Sequence, residues 1–216
     1  MILNESGKEL ECGIDEAGRG SFFGRLYVGA VIFPTEVDLD PEIIKDSKKI
    51  HSHKKRVEAR KYIIDNCLYY GVAYATASEI DRNGIIPSLM SAMHKAISSL
   101  PVVPEYLLID GDRFEPYSLE GCKQIPHQTV VKGDSKYFSV AAASILAKVA
   151  HDEHILESLR ANPDLDKYGL NKNMGYGTEI HRTAIREYGL SDQHRKTFCE
   201  KTLGLRTLPD SNGCYI

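Results

Sequence analysis

Cys12-Gly13-Ile14-Asp15-Glu16-Ala17-Gly18-Arg19-Gly20 brings a short β-forming run, residues 10–14, to an end in two adjacent carboxylates and then passes into a glycine-flanked arginine. A second run, residues 26–33 (Leu-Tyr-Val-Gly-Ala-Val-Ile-Phe), is rich in β-branched and aromatic residues, so the two read as a hairpin with an elaborate loop. Taken alone, Asp15 and Glu16 are ordinary surface charges at a strand end. They become a site only if the rest of the chain supplies partners.

Working outward, Pro34 and the Asp38, Asp40, Pro41 cluster close the second strand. Residues 53–67 follow as a mainly basic helix carrying Val57, Ile63 and Ile64, and residues 68–76 as a third strand. Asn83-Gly84 and Pro87 open an apolar-periodic helix that runs to about residue 100 through Leu89, Met90, Met93 and Ile97. Residues 106–109, Tyr-Leu-Leu-Ile, form the continuous apolar run of a strand buried on both faces, ending in Asp110-Gly111-Asp112. Open α/β sheets hold ligands at the carboxyl ends of their strands, which makes Asp110 the first candidate partner for Asp15. The same Asp-Gly pair also suits a plain turn in which the aspartate bonds its own backbone. Residues 128–131 give a last short strand.

The helix expected over residues 137–160 is the second informative element. Ala141, Ala142, Ala143 and Ala147 permit close approach to a sheet, while Phe138, Ala141, Ile145 and Val149 make a stripe at helical spacing, expected to face the sheet, that Asp152 continues. A carboxylate buried there without a partner is costly or becomes protonated, and a cation resolves the cost. If the helix has left the core by that point, Asp152 simply pairs with Lys148 at i, i+4. Beyond Asn162-Pro163 the apolar density drops and short helices are expected over residues 178–188 and 193–203. The expected organisation is an α/β sheet domain over residues 10–161, a small helical appendage over 162–206 and a flexible tail over 207–216.

The 216 residues, 42% of them hydrophobic, suffice for one substantial core. No apolar run reaches the length of a membrane span and Glu5, Lys8 and Glu9 interrupt the beginning, so a cytoplasmic protein without a membrane partner is expected. Five cysteines without a C-x-x-C pair (Cys12, Cys67, Cys122, Cys199, Cys214) suggest reduced, mostly buried thiols and neither a disulfide framework nor a zinc knuckle. Net charge is −3, which argues against coating of nucleic acid by global positive charge. Locally, eight basic residues between Lys45 and Lys61 face only Asp46 and Glu58, a run that suits either a solvated helix face or a phosphate track.

Asp15, Glu16, Asp110 and Asp152 are hard oxygen donors, matched physically by Mg²⁺ or Mn²⁺. His151 and His154 flank Asp152, but His151 is expected to point away from it on a helix, leaving zinc a weak alternative. Strand alternation keeps Asp15 and Glu16 from sharing one ion unless the glycine turn reorients Glu16 or a second ion binds.

Six motifs in order now carry a resemblance. Asp-Glu-Ala-Gly-Arg-Gly, Lys45-Asp46-Ser47-Lys48, Leu108-Ile109-Asp110-Gly111, Lys132-Gly133-Asp134-Ser135-Lys136 through Ala-Ala-Ala-Ser-Ile-Leu-Ala-Lys148-Val149, Gly175-Tyr176-Gly177-Thr178 with His181, and His194-Arg195 resemble the type 2 ribonuclease H (ribonuclease HII) family. The match runs from about Gly13 to Phe198. It implies a ribonuclease H-like mixed five-stranded sheet flanked by helices, with the small helical appendage at its end. It also implies cleavage of the RNA strand of RNA/DNA hybrids and nicking 5′ to ribonucleotides embedded in duplex DNA, leaving 3′-hydroxyl and 5′-phosphate. Asp15, Glu16, Asp110 and Asp152 would be the catalytic, metal-binding set for Mg²⁺ or Mn²⁺, with two ions during catalysis.

Gly18, Arg19 and Gly20 would read the ribonucleotide 2′-OH, Tyr176 would stack on the neighbouring deoxyribose, and Lys48 and Lys136 would contact phosphates. Two places depart from the family pattern: Ser21 and Arg25 stand where prolines are usual, and His151 where an arginine is usual. The type 3 enzymes, the nearest alternative, carry lysine at the Arg19 position and an extra amino-terminal domain. A catalytically silent hybrid-binding protein is a further alternative that the intact carboxylates disfavour. The chain is expected to act as a monomer without obligate subunits, and the residues after Phe198 show no evident sliding-clamp peptide.

Overall fold

The computed structural model describes residues 1–45, 47, 50, 52–118 and 123–204. Lys48, one of the expected phosphate contacts, lies outside the described residues, as do Cys122, Cys214 and the tail over 207–216. Five strands form one mixed sheet: β1 (Glu11–Ala17), β2 (Leu26–Ile32), β3 (Tyr69–Ala75), β4 (Tyr106–Asp110) and β5 (His127–Val130), in the order β3-β2-β1-β4-β5. The first three pair antiparallel, whereas β1–β4 and β4–β5 are parallel. β1 is longer than its apolar residues indicate. The ladder to β2 continues through Asp15 opposite Gly29 and Glu16 opposite Val28, so both carboxylates belong to the strand rather than to a turn beyond it.

The helices are α1 (His53–Asn66), α2 (Ala77–Asn83), α3 (Ile85–Ser98), α4 (Phe138–Ala161), α5 (Leu170–Asn173), α6 (Glu179–Tyr188) and α7 (Lys196–Leu203). Sequence reasoning passed over α2, although Thr76 and Glu79 close a reciprocal capping box at its start. It also passed over α5 and the 3₁₀ turn Pro163–Tyr168. α3 covers one face of the sheet, where Ile14, Val28, Ala30, Leu107 and Ile109 meet Leu89, Met93 and Ala96.

α4 covers the other face, and it lies on the strands at backbone distance. A Cβ at Gly13 would overlap the backbone of Ser139 and Val140, and one at Gly29 the backbone of Ala143. The alanines of α4 therefore need the strand glycines opposite them for the close approach. The helix is buried all round from Phe138 to Ala147, because α1 closes over its outer side. Phe138, Ala141, Ile145 and Val149, expected to face the sheet, cluster with Ala59 and Ile63 of α1. The strands meet the residues between them: Ser139 and Val140 at Gly13, Ala143 at Gly29, Ala147 at Ala17 and Tyr27. A helix sandwiched between two layers has two apolar stripes, and its period does not say which layer each one meets.

A third cluster holds Phe22 and Phe23 against Ile155, Leu165, Tyr168, Leu170, Ile185 and Cys199. The short helices thus pack on the loop that follows β1. Cys12, Cys67 and Cys199 are free thiols. Among the described residues no helix is long and apolar enough to cross a membrane.

Candidate active site

The parallel ladder between β1 and β4 pairs Gly13 with Leu108 and Ile14 with Ile109. One residue further on, Asp15 and Asp110 stand side by side at the carboxyl ends of the two central strands, on the face toward α4. Asp15 is 4% exposed. Burial pushes its carboxyl well above the usual carboxylate range, and the charges of Glu16 and Asp110 push the same way, opposed by the Glu16 N–H and the Ser144 hydroxyl. Asp110 Oδ1 accepts from the Gly133 N–H at 2.7 Å. Glu16 follows the strand alternation, and its carboxylate lies 3.7 Å from the exposed Arg19 guanidinium.

α4 rises along β1 toward the loop. Ser139 lies against Gly13 and the ring of His151 against Gly18, where a side chain would strike the imidazole and where φ is +83°. Asp152 is thereby brought to the level of the Gly18-Arg19-Gly20 loop. It is fully buried and does not lack partners. Oδ1 accepts from Lys148 Nζ at 2.8 Å and from His151 Nδ1 at 3.1 Å, and Oδ2 accepts from Arg56 Nη2 at 3.0 Å. Burial alone would raise its pKa, but His151 and Lys148 hold it below the ordinary value.

Two sequence expectations for this helix change. Lys148 pairs with Asp152, yet without the helix leaving the core. His151 does not point away: adjacent side chains diverge around a helix, but a long ring and a short carboxylate still meet at 3.1 Å. The other ring nitrogen of His151 lies 3.1 Å from Ser21 Oγ. Ser21, His151 and Asp152 form a serine–histidine–aspartate chain in which every member is fully buried. No substrate can reach that hydroxyl, so the chain orients Asp152 rather than supplying a nucleophile.

Tyr176 comes to the same place from the turn between α5 and α6. Its half-buried ring lies 5.5 Å from that of His151, with Lys148 Nζ 5.1 Å above it. Its backbone bridges Ser21, and Gly177 beside it packs where a side chain would overlap the Phe22 ring. Arg19 and Gly20 are exposed at the rim. Lys136 is exposed and donates to the Val131 carbonyl at 3.1 Å.

The basic run divides. Lys45, Arg56, Arg60 and Lys61 pair with Glu42, Asp152, Glu153 and Asp65, whereas Lys54 and Lys55 are exposed. Arg56 is a residue that sequence reasoning did not single out within the run. Arg195 is another, fully buried and donating to the carbonyls of Gly18 at 2.8 Å, Arg19 at 3.1 Å and Gly24 at 3.0 Å. Only its place in the His194-Arg195 motif signalled it.

The chemistry of the donor set fits a divalent cation. Burial, then the charges of Glu16 and Asp110, disfavour ionisation of Asp15, and a hard cation relieves that repulsion directly. Among the described residues, no three Asp, Glu, His or Cys side chains yet close into a coordination sphere, and Asp152 is neutralised by Lys148 and Arg56.

The chain matches the Ribonuclease HII family model over residues 12–201. It is 44% identical over 188 residues to ribonuclease HII of Porphyromonas gingivalis, covering 87% of this chain and 88% of the relative. With ribonuclease HII of Parabacteroides distasonis it shares 45% over 194 residues, 90% of this chain and 92% of the relative. The crystal structure of ribonuclease H2 from Pyrococcus horikoshii OT3 superposes with a TM-score of 0.69 at 26% identity, covering 90% of this chain and 97% of that one. With the mixed sheet and carboxylate arrangement already described, these matches establish that the chain belongs to the ribonuclease HII family, the metal-dependent endoribonucleases of ribonuclease H type 2.

Proposed function

We propose that this protein nicks duplexes 5′ to a ribonucleotide, both within RNA/DNA hybrids and at single ribonucleotides embedded in DNA. Asp15, Glu16, Asp110 and Asp152 are the metal-binding catalytic set. The observation that carries the reading is the pairing of Asp15 with Asp110 at adjacent parallel strand ends, facing the helix that bears Asp152. Two Mg²⁺ or Mn²⁺ ions held by these carboxylates would supply an activated water and stabilise charge on the leaving oxygen.

The chain's own groups do the rest. Gly18-Arg19-Gly20 approaches the ribose closely enough for backbone and guanidinium to bond its 2′-OH, the group that separates RNA from DNA. Tyr176 stacks on the next sugar, where a second 2′-OH would crowd it. Lys148, between Tyr176 and Asp152, is placed to exchange its carboxylate partner for a phosphate oxygen. Lys48 and Lys136 are the remaining phosphate contacts. Residues 10–161 form the catalytic unit and 162–206 the appendage that supplies Tyr176, in a monomer that needs no other subunit. A duplex with one embedded ribonucleotide, incubated with the protein and Mg²⁺ or Mn²⁺, should be nicked once, leaving a 3′-hydroxyl. Binding without a nick sinks the reading.

A further inference from the structure

Two neighbours in sequence, His194 and Arg195, reach in different directions. Arg195 spans the loop after β1 through its bonds to Gly18, Arg19 and Gly24, and its own N–H donates to the Phe22 carbonyl at 2.8 Å. His194 reaches the Tyr176 turn instead, through a chain whose proton positions are fixed by its ends. The Ser191 N–H donates to His194 Nδ1 at 2.9 Å, so that nitrogen is an acceptor. The Tyr176 carbonyl, 3.1 Å from His181 Nδ1, can only accept, so that nitrogen carries a proton. The two Nε2 atoms lie 3.0 Å apart. Two neutral rings satisfy all three contacts in one way: His194 Nε2–H donates to His181 Nε2.

The enclosure matches neutrality. Both rings are buried, 1% exposed or less, with Phe22, Phe23 and Tyr168 around them. A proton added to His181 would set two N–H donors against each other across 3.0 Å, and one added to His194 would set its Nδ1–H against the Ser191 N–H at 2.9 Å.

We propose that His194 and Arg195, acting with His181, are positioning residues that fix the Gly18-Arg19-Gly20 loop and Tyr176 at one separation, so that the ribonucleotide and the sugar after it are read as a unit. The proposal rests on the reading of that loop and Tyr176 as substrate contacts. A fully buried guanidinium is expensive, and here its Nε and Nη1 donate to the carbonyls of the loop that meets the substrate, while Nη2 is buried without a partner. The adjacent residue spends its one free N–H on the chain leading to the other contact. The backbone joins the same two places directly, with Phe22 N–H donating to the Gly175 carbonyl at 2.8 Å. Movement of either contact alone therefore breaks bonds in a shared, desolvated layer.

The test uses the conservative pair at His194. Gln can place an amide N–H where Nε2–H stood, keeping the donor to His181, whereas Asn reproduces the Nδ1 side and loses that donor. The full chain and the variants H194Q, H194N, R195K and Y176A are compared by kcat and KM on an embedded-ribonucleotide duplex and on a uniform RNA/DNA hybrid, with thermal midpoints recorded. H194N and R195K should lower kcat/KM on the embedded ribonucleotide about tenfold or more, with a smaller loss on the hybrid. H194Q should retain more of that preference than H194N at a similar thermal midpoint. In the Y176A background H194N should add less than twofold, because the contact it positions is gone. Equal proportional losses on both duplexes, no advantage of Gln over Asn, or full additivity with Y176A would overturn the coupling. A Y176A protein with unchanged preference would instead remove the underlying reading of Tyr176.

Discussion

Ser21 Oγ lies 3.1 Å from Nε2 of His151, so two positions at which the family resemblance implies other residues are bonded to each other. The carboxylate of Asp152 accepts from Nδ1, which leaves Nε2 of the neutral ring as the acceptor and Ser21 as the donor. Burial lowers the His151 pKa, in keeping with that neutral form. Ser21→Ala should strand a buried acceptor and destabilise the protein by about 1–3 kcal/mol in urea unfolding. The loss should be much smaller when His151 is already replaced by a residue without an acceptor there. Additive losses would mean that the two departures are independent.

The crowded carboxylates predict a conflict between stability and activity. Asp15 has its pKa raised by burial and by Glu16 and Asp110. Its contribution to stability is present below the ordinary carboxylate range and is lost as pH rises above it. Asp15→Asn removes that loss. The variant should melt higher than the native protein at neutral pH in chelator, by an amount of order 1 kcal/mol or about 2–4 °C, and show no cleavage. Adding Mn²⁺ should raise the native midpoint and close the gap. Retained cleavage would remove Asp15 from the catalytic set.

Much of this was legible in sequence because local signals agreed with the fold. The apolar run before Asp110 and the β-branched stretch over residues 26–33 carry the composition of strands, and each is one. What escaped depended on partners distant in the chain. β1 extends through two carboxylates because β2 pairs with them, which overrides their poor β propensity. Arg195 looks like a surface residue until the loop 171 residues earlier closes around it. Arg56 was one of eight similar charges, and only the packing of α1 on α4 singles it out. The Thr76–Glu79 capping box is a local signal, and a Thr-x-x-Glu spacing marks the start of α2 within the sequence itself.

The glycines beneath α4 give a prediction about the fold alone. Gly29→Ala places a methyl against the Ala143 backbone, which no rotamer change can relieve. The expected cost is about 1–3 kcal/mol or more, read as a lower urea midpoint. At Gly20, where a Cβ would meet nothing within 4 Å, alanine should leave the midpoint nearly unchanged. A comparable loss at both positions would mean that contact with α4 is not what Gly29 provides.

The histidine pair sets the acid limit. Burial, then the neighbouring His181, pushes the His194 pKa down to about 3 from an ordinary 6.5, and burial lowers that of His181 as well. A group whose pKa falls on folding stabilises the protein fully above its unfolded value, and that stabilisation drains away as pH falls toward the folded one. Between pH 6.5 and about 3, His194 alone should remove up to about 1.4 kcal/mol per pH unit, the unfolded ring binding a proton that the native ring refuses. The thermal midpoint should therefore drop as pH is lowered from 7 through 5, well before the bulk of the carboxylates titrate. In His194→Asn, which starts less stable, the drop over the same interval should be shallower because one linked proton is gone. A parallel dependence in both proteins would mean that this ring is not a source of acid lability, and the neutral two-histidine chain would have to be redrawn.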